Sequence, residues 1–223
     1  MTLSQTSKRV VIIPGLGHGL DSWKQTQSNH QSVYEYLVQQ NHQIIDLELS
    51  ESNYQLSFKD LLKYIDRFIP VDSYLLAHSF GCVIALLFCH HNPHKIKGVI
   101  LLDPTTQMER YRLERIEDLS LRNSLLSLLD RQELLKNLNF CPIISHVIIP
   151  FRKLMNPQKK ITDGYVFEIL NTKFMFLKLL SSHPQSNTLI YPNGEHLLYQ
   201  KEASKIKASL DLLFLRNSQI TVV

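Results

Sequence analysis

Residues 73–93 read S-Y-L-L-A-H-S-F-G-C-V-I-A-L-L-F-C-H-H-N-P, with Ser79 between two apolar runs. Tyr74, Leu75, Leu76 and Ala77 suit a short parallel strand covered on both faces, and Phe80 to Cys89 read as a buried helix. Almost no loop separates them. A strand that turns directly into a helix forces the joining residue, Ser79, into a strained backbone conformation, and the small neighbours Ala77 and Gly81 leave room for the close approach. The result is one hydroxyl presented at a helix N-terminus.

Upstream, Val10 to Ile13 are four consecutive β-favouring residues, followed at once by Pro14-Gly15-Leu16-Gly17-His18-Gly19. The glycines permit positive φ and let main-chain N–H groups point into a shared space. The spacing of this loop is not the G-x-G-x-x-G of a dinucleotide site, and no acidic residue clearly ends a second strand at the required distance. Ser28 to Gln40 is a helix candidate with Val33, Tyr34, Leu37 and Val38 on one face, and Gln43 to Leu49 is a strand with Ile44 and Ile45 at its core. Ser57 and Asp60 resemble a capping box before the stripe Phe58, Leu61, Leu62, Ile65, Phe68 and Ile69, which stops at Pro70.

Downstream of Pro93, Lys97 to Leu102 is a further buried strand ending in Asp103-Pro104. The regular alternation predicts an α/β fold: a mostly parallel sheet with helices on both faces, joined by right-handed crossovers. Residues 105–140 interrupt it with two leucine-rich, charged helices and no strand between them. Ile143 to Phe151 is the next strand, Lys153 to Lys160 a polar loop, Tyr165 to Leu180 a helix, and Asn187 to Tyr191 the last strand. Glu195-His196 follows in a glycine turn, and Glu202 to Leu215 closes the chain as an amphipathic helix with Ile206, Leu210, Leu213 and Phe214 inward.

With A-H-S-F-G at positions 77–81 the chain resembles the α/β-hydrolase superfamily, whose nucleophile elbow reads G-x-S-x-G; Ala77 replaces the first glycine. The resemblance runs from Val10 to about Leu215 and implies a single domain over residues 1–223, with 105–140 as a helical cap insertion or, alternatively, a long crossover pair. It implies Ser79 as nucleophile, His196 as base, and the main-chain N–H groups of Leu16 and Phe80 as the oxyanion hole. Pro14-Gly15-Leu16 followed by Trp23 matches the family's H-G-x-x-x…W loop with proline in the histidine place. The acid departs from the commonest pattern: after Ile143 to Phe151 comes R-K-L-M-N-P, without a carboxylate. Asp103 at the preceding strand end is the favoured acid, with Asp163, Glu168 or an uncharged orienter at Asn156 as alternatives. Asp103 also has a plainer reading, as the residue that caps the turn at its strand end.

The resemblance implies an esterase, lipase or thioesterase type of serine hydrolase acting on a small-molecule acyl substrate, with no metal or organic cofactor. An acyltransferase working through the same acyl-enzyme, or a non-catalytic ligand-binding member of the fold, are the alternatives. Of ten histidines, His90, His91 and His94 sit at a helix C-terminus, His78 shapes the elbow turn and His18 is placed to line the pocket. Lys plus Arg exceeds Asp plus Glu by 24 − 20 = 4, with no basic stripe, so no nucleic-acid partner is expected. Three cysteines, two of them on the elbow helix, read as reduced core thiols in a cytoplasmic setting, and no window suggests a leader or a membrane span.

Overall fold

Alternation along the strands assigns each apolar residue to one of two covered faces, and that division builds the core. The computed structural model describes residues 7–26, 31–105, 110–135, 144–150, 187–191, 197–201 and 203–218. Strands β1 (Arg9–Ile13), β2 (Gln43–Asp46), β3 (Ser73–His78), β4 (Ile96–Leu102), β5 (Ile144–Pro150) and β6 (Asn187–Tyr191) form one parallel sheet in the order β2-β1-β3-β4-β5-β6.

On one face Val10, Ile12, Tyr74, Leu76, Ile100 and Leu102 pack with Trp23, with α2 (Val33–Gln39) and with the closing helix α9 (Ala203–Ser218). On the other, Val11, Ile13, Leu75, Ala77, Val99 and Leu101 pack with α4 (Phe58–Asp66) and α5 (Gly81–His91). The described part of the elbow helix is buried on all sides from Gly81 to Cys89 because a further helix covers it. That helix, α7 (Leu119–Leu135), preceded by the short α6 (Arg110–Leu113), lies against α5 and against α3 (Glu51–Tyr54). Leu121, Leu125, Leu128 and Leu129 enter the same core, and the Arg131 guanidinium stands 4.6 Å over the Phe58 ring. α1 (Asp21–Lys24) and α8 (Leu198–Lys201) complete the described elements.

The structure shifts several local expectations. α2 begins at Val33 because Ser32 and Glu35 form a reciprocal capping box there. Its buried face carries Tyr36, whose hydroxyl bonds Asp211 on α9, while Val38 is exposed. α4 ends at Asp66, so Phe68 falls outside the helix and is half exposed. The helix and loop expected at Tyr165 to Leu180 and Lys153 to Lys160 lie outside the described residues.

Candidate active site

The sheet order fixes where a site can form. From β1 the chain passes through α2 on one face to β2, then returns through α4 on the other face to β3, on the far side of β1. The chain therefore leaves β1 and β3 toward opposite faces of the sheet, the topological switch point at whose carboxyl ends ligands bind in open α/β sheets. The glycine loop and Ser79 both stand at that point.

Ser79 has φ +52°, in the left-handed region that a residue with a Cβ seldom adopts. Hydrogen bonds on both sides over-determine this conformation. Its N–H donates to Leu102 O at 3.0 Å, and its carbonyl accepts from Cys82 N–H and Thr105 N–H, each at 3.1 Å. Gly81 is there because nothing larger fits: a Cβ at that position falls 2.3 Å from Ile13 O and 2.5 Å from Pro14 O, both main-chain atoms at the end of β1. Ala77, which replaces a family glycine, is fully buried and sits beside Ile13 in the β1–β3 register.

The loop after β1 is pressed onto the elbow. A Cβ on Gly15 would lie 2.9 Å from Ser79 Cβ and 3.2 Å from His78 Nδ1, so the loop's backbone approaches the serine as closely as a side-chain-free residue allows. His18 N–H donates to Gly15 O at 3.1 Å and closes a turn whose third residue, Gly17, has φ +72°, a conformation that selects glycine. Among the described residues, neither Leu16 N–H nor Phe80 N–H donates a hydrogen bond. Neither of the two expected oxyanion donors, just beyond the ends of adjacent strands, has an acceptor among the described residues.

Asp103 follows Leu102 as Ser79 follows His78, and the register pairs His78 with Leu102. The two residues stand side by side at neighbouring strand ends, where backbones run about 4.8 Å apart. Asp103 also has positive φ, +44°, and its side chain is buried. Asp46, at the end of β2, has its carboxyl pushed up to about 6 by partial burial and then by Glu48. It lies two strands from β3, roughly 10 Å across the sheet, which sets it apart from the serine.

His78 sits beneath the glycine loop, its Nδ1 3.2 Å from where a Gly15 Cβ would stand. It is fully buried against Trp23, Tyr199 and His18, with ring centroids 6.5, 4.9 and 6.2 Å away. Trp23 stacks on Tyr199 at 4.1 Å, the Tyr199 hydroxyl donates to Ser22 Oγ at 3.1 Å, and Gln200 Nε2 donates to Ser22 O at 3.0 Å. These contacts bind α1, which follows the glycine loop, to α8. Burial pushes the Tyr199 phenol up, so its hydroxyl stays protonated as a donor. His90, His91 and His94 gather near the C-terminus of α5, and among the described residues no three His, Cys, Asp or Glu side chains are placed to hold a metal ion.

His196, Asp163, Glu168 and Asn156 lie outside the described residues. Thr105 was not singled out in the sequence, yet it reaches Ser79 with both its N–H and, at 3.4 Å, its hydroxyl. No local pattern marks it, because the contact joins the ends of two strands 26 residues apart.

Comparison with known proteins agrees with this architecture. The model of the alpha/beta hydrolase fold family matches residues 8–132. An α/β hydrolase enzyme from the metagenome of lagoon sediments at Mar Chica, Morocco, superposes with a TM-score of 0.65 at 16% identity, covering 96% of this chain and 93% of that one. A structure from work on carboxylesterases of the ammonia-oxidizing thaumarchaeon Nitrososphaera gargenis gives 0.57 at 11% identity, covering 97% and 93%. The thioesterase domain from the curacin biosynthetic pathway gives 0.55 at 16% identity, covering 93% and 92%. Among curated protein sequences none matches significantly. Among the described residues no helix is long and apolar enough to cross a membrane.

Proposed function

The chain belongs to the α/β-hydrolase fold family, and on that premise we propose that it is a serine hydrolase of the esterase, lipase or thioesterase type, working through an acyl-enzyme. The observation that carries this reading is the left-handed Ser79 at the N-terminus of α5, backed by a glycine loop with no room to spare. Such a conformation costs on the order of 1–3 kcal/mol and persists where the surrounding structure enforces it, which favours a functional serine over a structural one.

In this mechanism Ser79 Oγ attacks the acyl carbonyl carbon while its proton passes to His196. The N–H groups of Leu16 and Phe80 receive the oxyanion. Collapse of the tetrahedral intermediate expels the alcohol or thiol, which takes the proton from His196. Water then attacks the acyl-enzyme with His196 again as base, and as the Ser79 Oγ–acyl bond breaks the carboxylic acid leaves and His196 returns the proton to Ser79. Asp103, beside Ser79 at the strand ends, is assigned to orient and stabilise the histidine. The α6–α7 insertion is assigned the role of a cap flanking the acyl side. Leu113 shares one core cluster with Phe80 and Tyr54, which supports that placement. The carboxylesterase and thioesterase among the structural neighbours support the class of bond cleaved. The substrate is then a small or medium acyl ester, thioester or amide, and the buried thiols Cys82 and Cys89, which form no disulfide, suit a cytoplasmic setting.

Labelling with a fluorophosphonate probe, mapped by mass spectrometry, tests the reading. The expected result is one adduct, on Ser79, lost in Ser79→Ala together with ester hydrolysis while the circular dichroism spectrum is retained. An unlabelled wild type, or labelling that survives Ser79→Ala, overturns it.

A further inference from the structure

We propose that Thr105 is a positioning residue for the nucleophile: its hydroxyl donates to Ser79 Oγ and holds that oxygen in one rotamer, with the serine's own proton left for the base. This rests on the serine-hydrolase reading above. Thr105 Oγ1 lies 3.4 Å from Ser79 Oγ, and the Thr105 N–H donates to the Ser79 carbonyl at 3.1 Å. One residue thus meets the same serine at main chain and side chain, closing a small ring.

The ring matters because a serine side chain has three rotamers within easy thermal reach, and only one aims Oγ at an incoming carbonyl. Thr105 is suited to choosing among them. Its main chain is pinned by the bond to Ser79 O, its β-branched side chain has restricted χ1, and the preceding Pro104 has its own φ fixed by its ring. Thr105 itself is only 7% exposed, so bulk water competes little for its hydroxyl.

The direction of the bond follows from the chemistry. Were Ser79 the donor, its proton would point at a neutral hydroxyl that cannot take it, and the base would be left idle. With Thr105 as donor, Ser79 Oγ uses one lone pair on Thr105 and keeps the other for attack. A bond of 3.4 Å is long at rest, and catalytic hydrogen bonds commonly tighten only when substrate is present.

The test compares Thr105→Val, which keeps the shape and removes the hydroxyl, with Thr105→Ser, which keeps the hydroxyl and removes the methyl. The second-order rate of fluorophosphonate labelling and the kcat and KM for a p-nitrophenyl ester are read with Tm. Loss of one neutral hydrogen bond predicts that Thr105→Val labels about fivefold to tenfold more slowly and loses kcat in the same ratio, with KM unchanged. Thr105→Ser should return to within about twofold of wild type. If Thr105→Val labels at the wild-type rate, or Thr105→Ser is as slow as Thr105→Val, the positioning role is wrong while the nucleophile assignment stands. A wild type that is not labelled at Ser79 overturns both.

Discussion

Strands β3 and β4 lie side by side and end in the same backbone device, Ser79 at φ +52° and Asp103 at φ +44°, yet the chain leaves them differently. After Ser79 it enters α5 at once, so the serine is held by the helix it begins. After Asp103 it turns through Pro104 to Thr105, and Thr105 N–H returns to the Ser79 carbonyl. The first strand end adds a local bond, from Cys82 N–H, to those it shares with its neighbour; the second is tied in through that neighbour. Since Ser79 N–H in turn donates to Leu102 O, the two ends form one hydrogen-bonded unit. A change at either should be felt at both.

The largest effect that sharpens this comparison is on turnover. Asp103→Asn should lower kcat by about three to four orders of magnitude, because an amide can orient a histidine but cannot stabilise the imidazolium by charge. The substitution is unusually clean here. Asparagine tolerates the left-handed conformation that Asp103 adopts, so the strand end should keep its shape and Tm should move little. Steady-state kinetics of Asp103→Asn beside Asp163→Asn decides the assignment: near-normal turnover in the first with a severe loss in the second would show that Asp103 is only a turn residue.

The difference between the strand ends also explains what could be read in advance. Around Ser79 every signal is local: a short apolar strand, no loop, Gly81, then a buried helix. β6 and the inward face of α9, with Ile206, Leu210, Leu213 and Phe214, were equally plain because helical and strand periods are local properties. Asp103 could be named but not placed, since its neighbour is fixed by sheet order, and sheet order is a long-range property. Thr105 and the stack of Trp23 on Tyr199 were invisible for the same reason. α3 and the start of α2 were missed differently. α3 is a single turn with no apolar period, whereas Ser32 and Glu35 do carry the S-x-x-E signal of a helix start.

The next effect falls on stability. Gly81→Ala drives a methyl to 2.3 Å from a main-chain oxygen of β1, and no rotamer change can relieve that contact. Overpacking against backbone should cost ~3 kcal/mol or more, seen as a fall in Tm on the order of 10 °C for a chain of this length. Chemical denaturation with an unchanged m-value checks it. A variant as stable as wild type would mean that the elbow and the β1 loop move apart easily, and that the proposed oxyanion donors are not held rigidly.

The smallest effect isolates the strain itself. Ser79→Ala and Ser79→Gly both remove the hydroxyl, so both lose its hydrogen bond to Thr105, and they differ in whether the left-handed residue carries a Cβ. Relief of a non-glycine left-handed conformation is worth about 1–2 kcal/mol, against which glycine's extra freedom in the unfolded chain subtracts roughly 0.5–1 kcal/mol. The glycine variant should therefore be the more stable of the two by ~0.5–1 kcal/mol, the balance of those two terms. In a chain of this size that is a Tm difference of about 1–4 °C. Paired thermal unfolding of the two variants in one buffer resolves a gap of that size. A lower Tm for Ser79→Gly would show that the bonds to Leu102, Cys82 and Thr105 leave no strain to release, and that the two strand ends are held by hydrogen bonding alone.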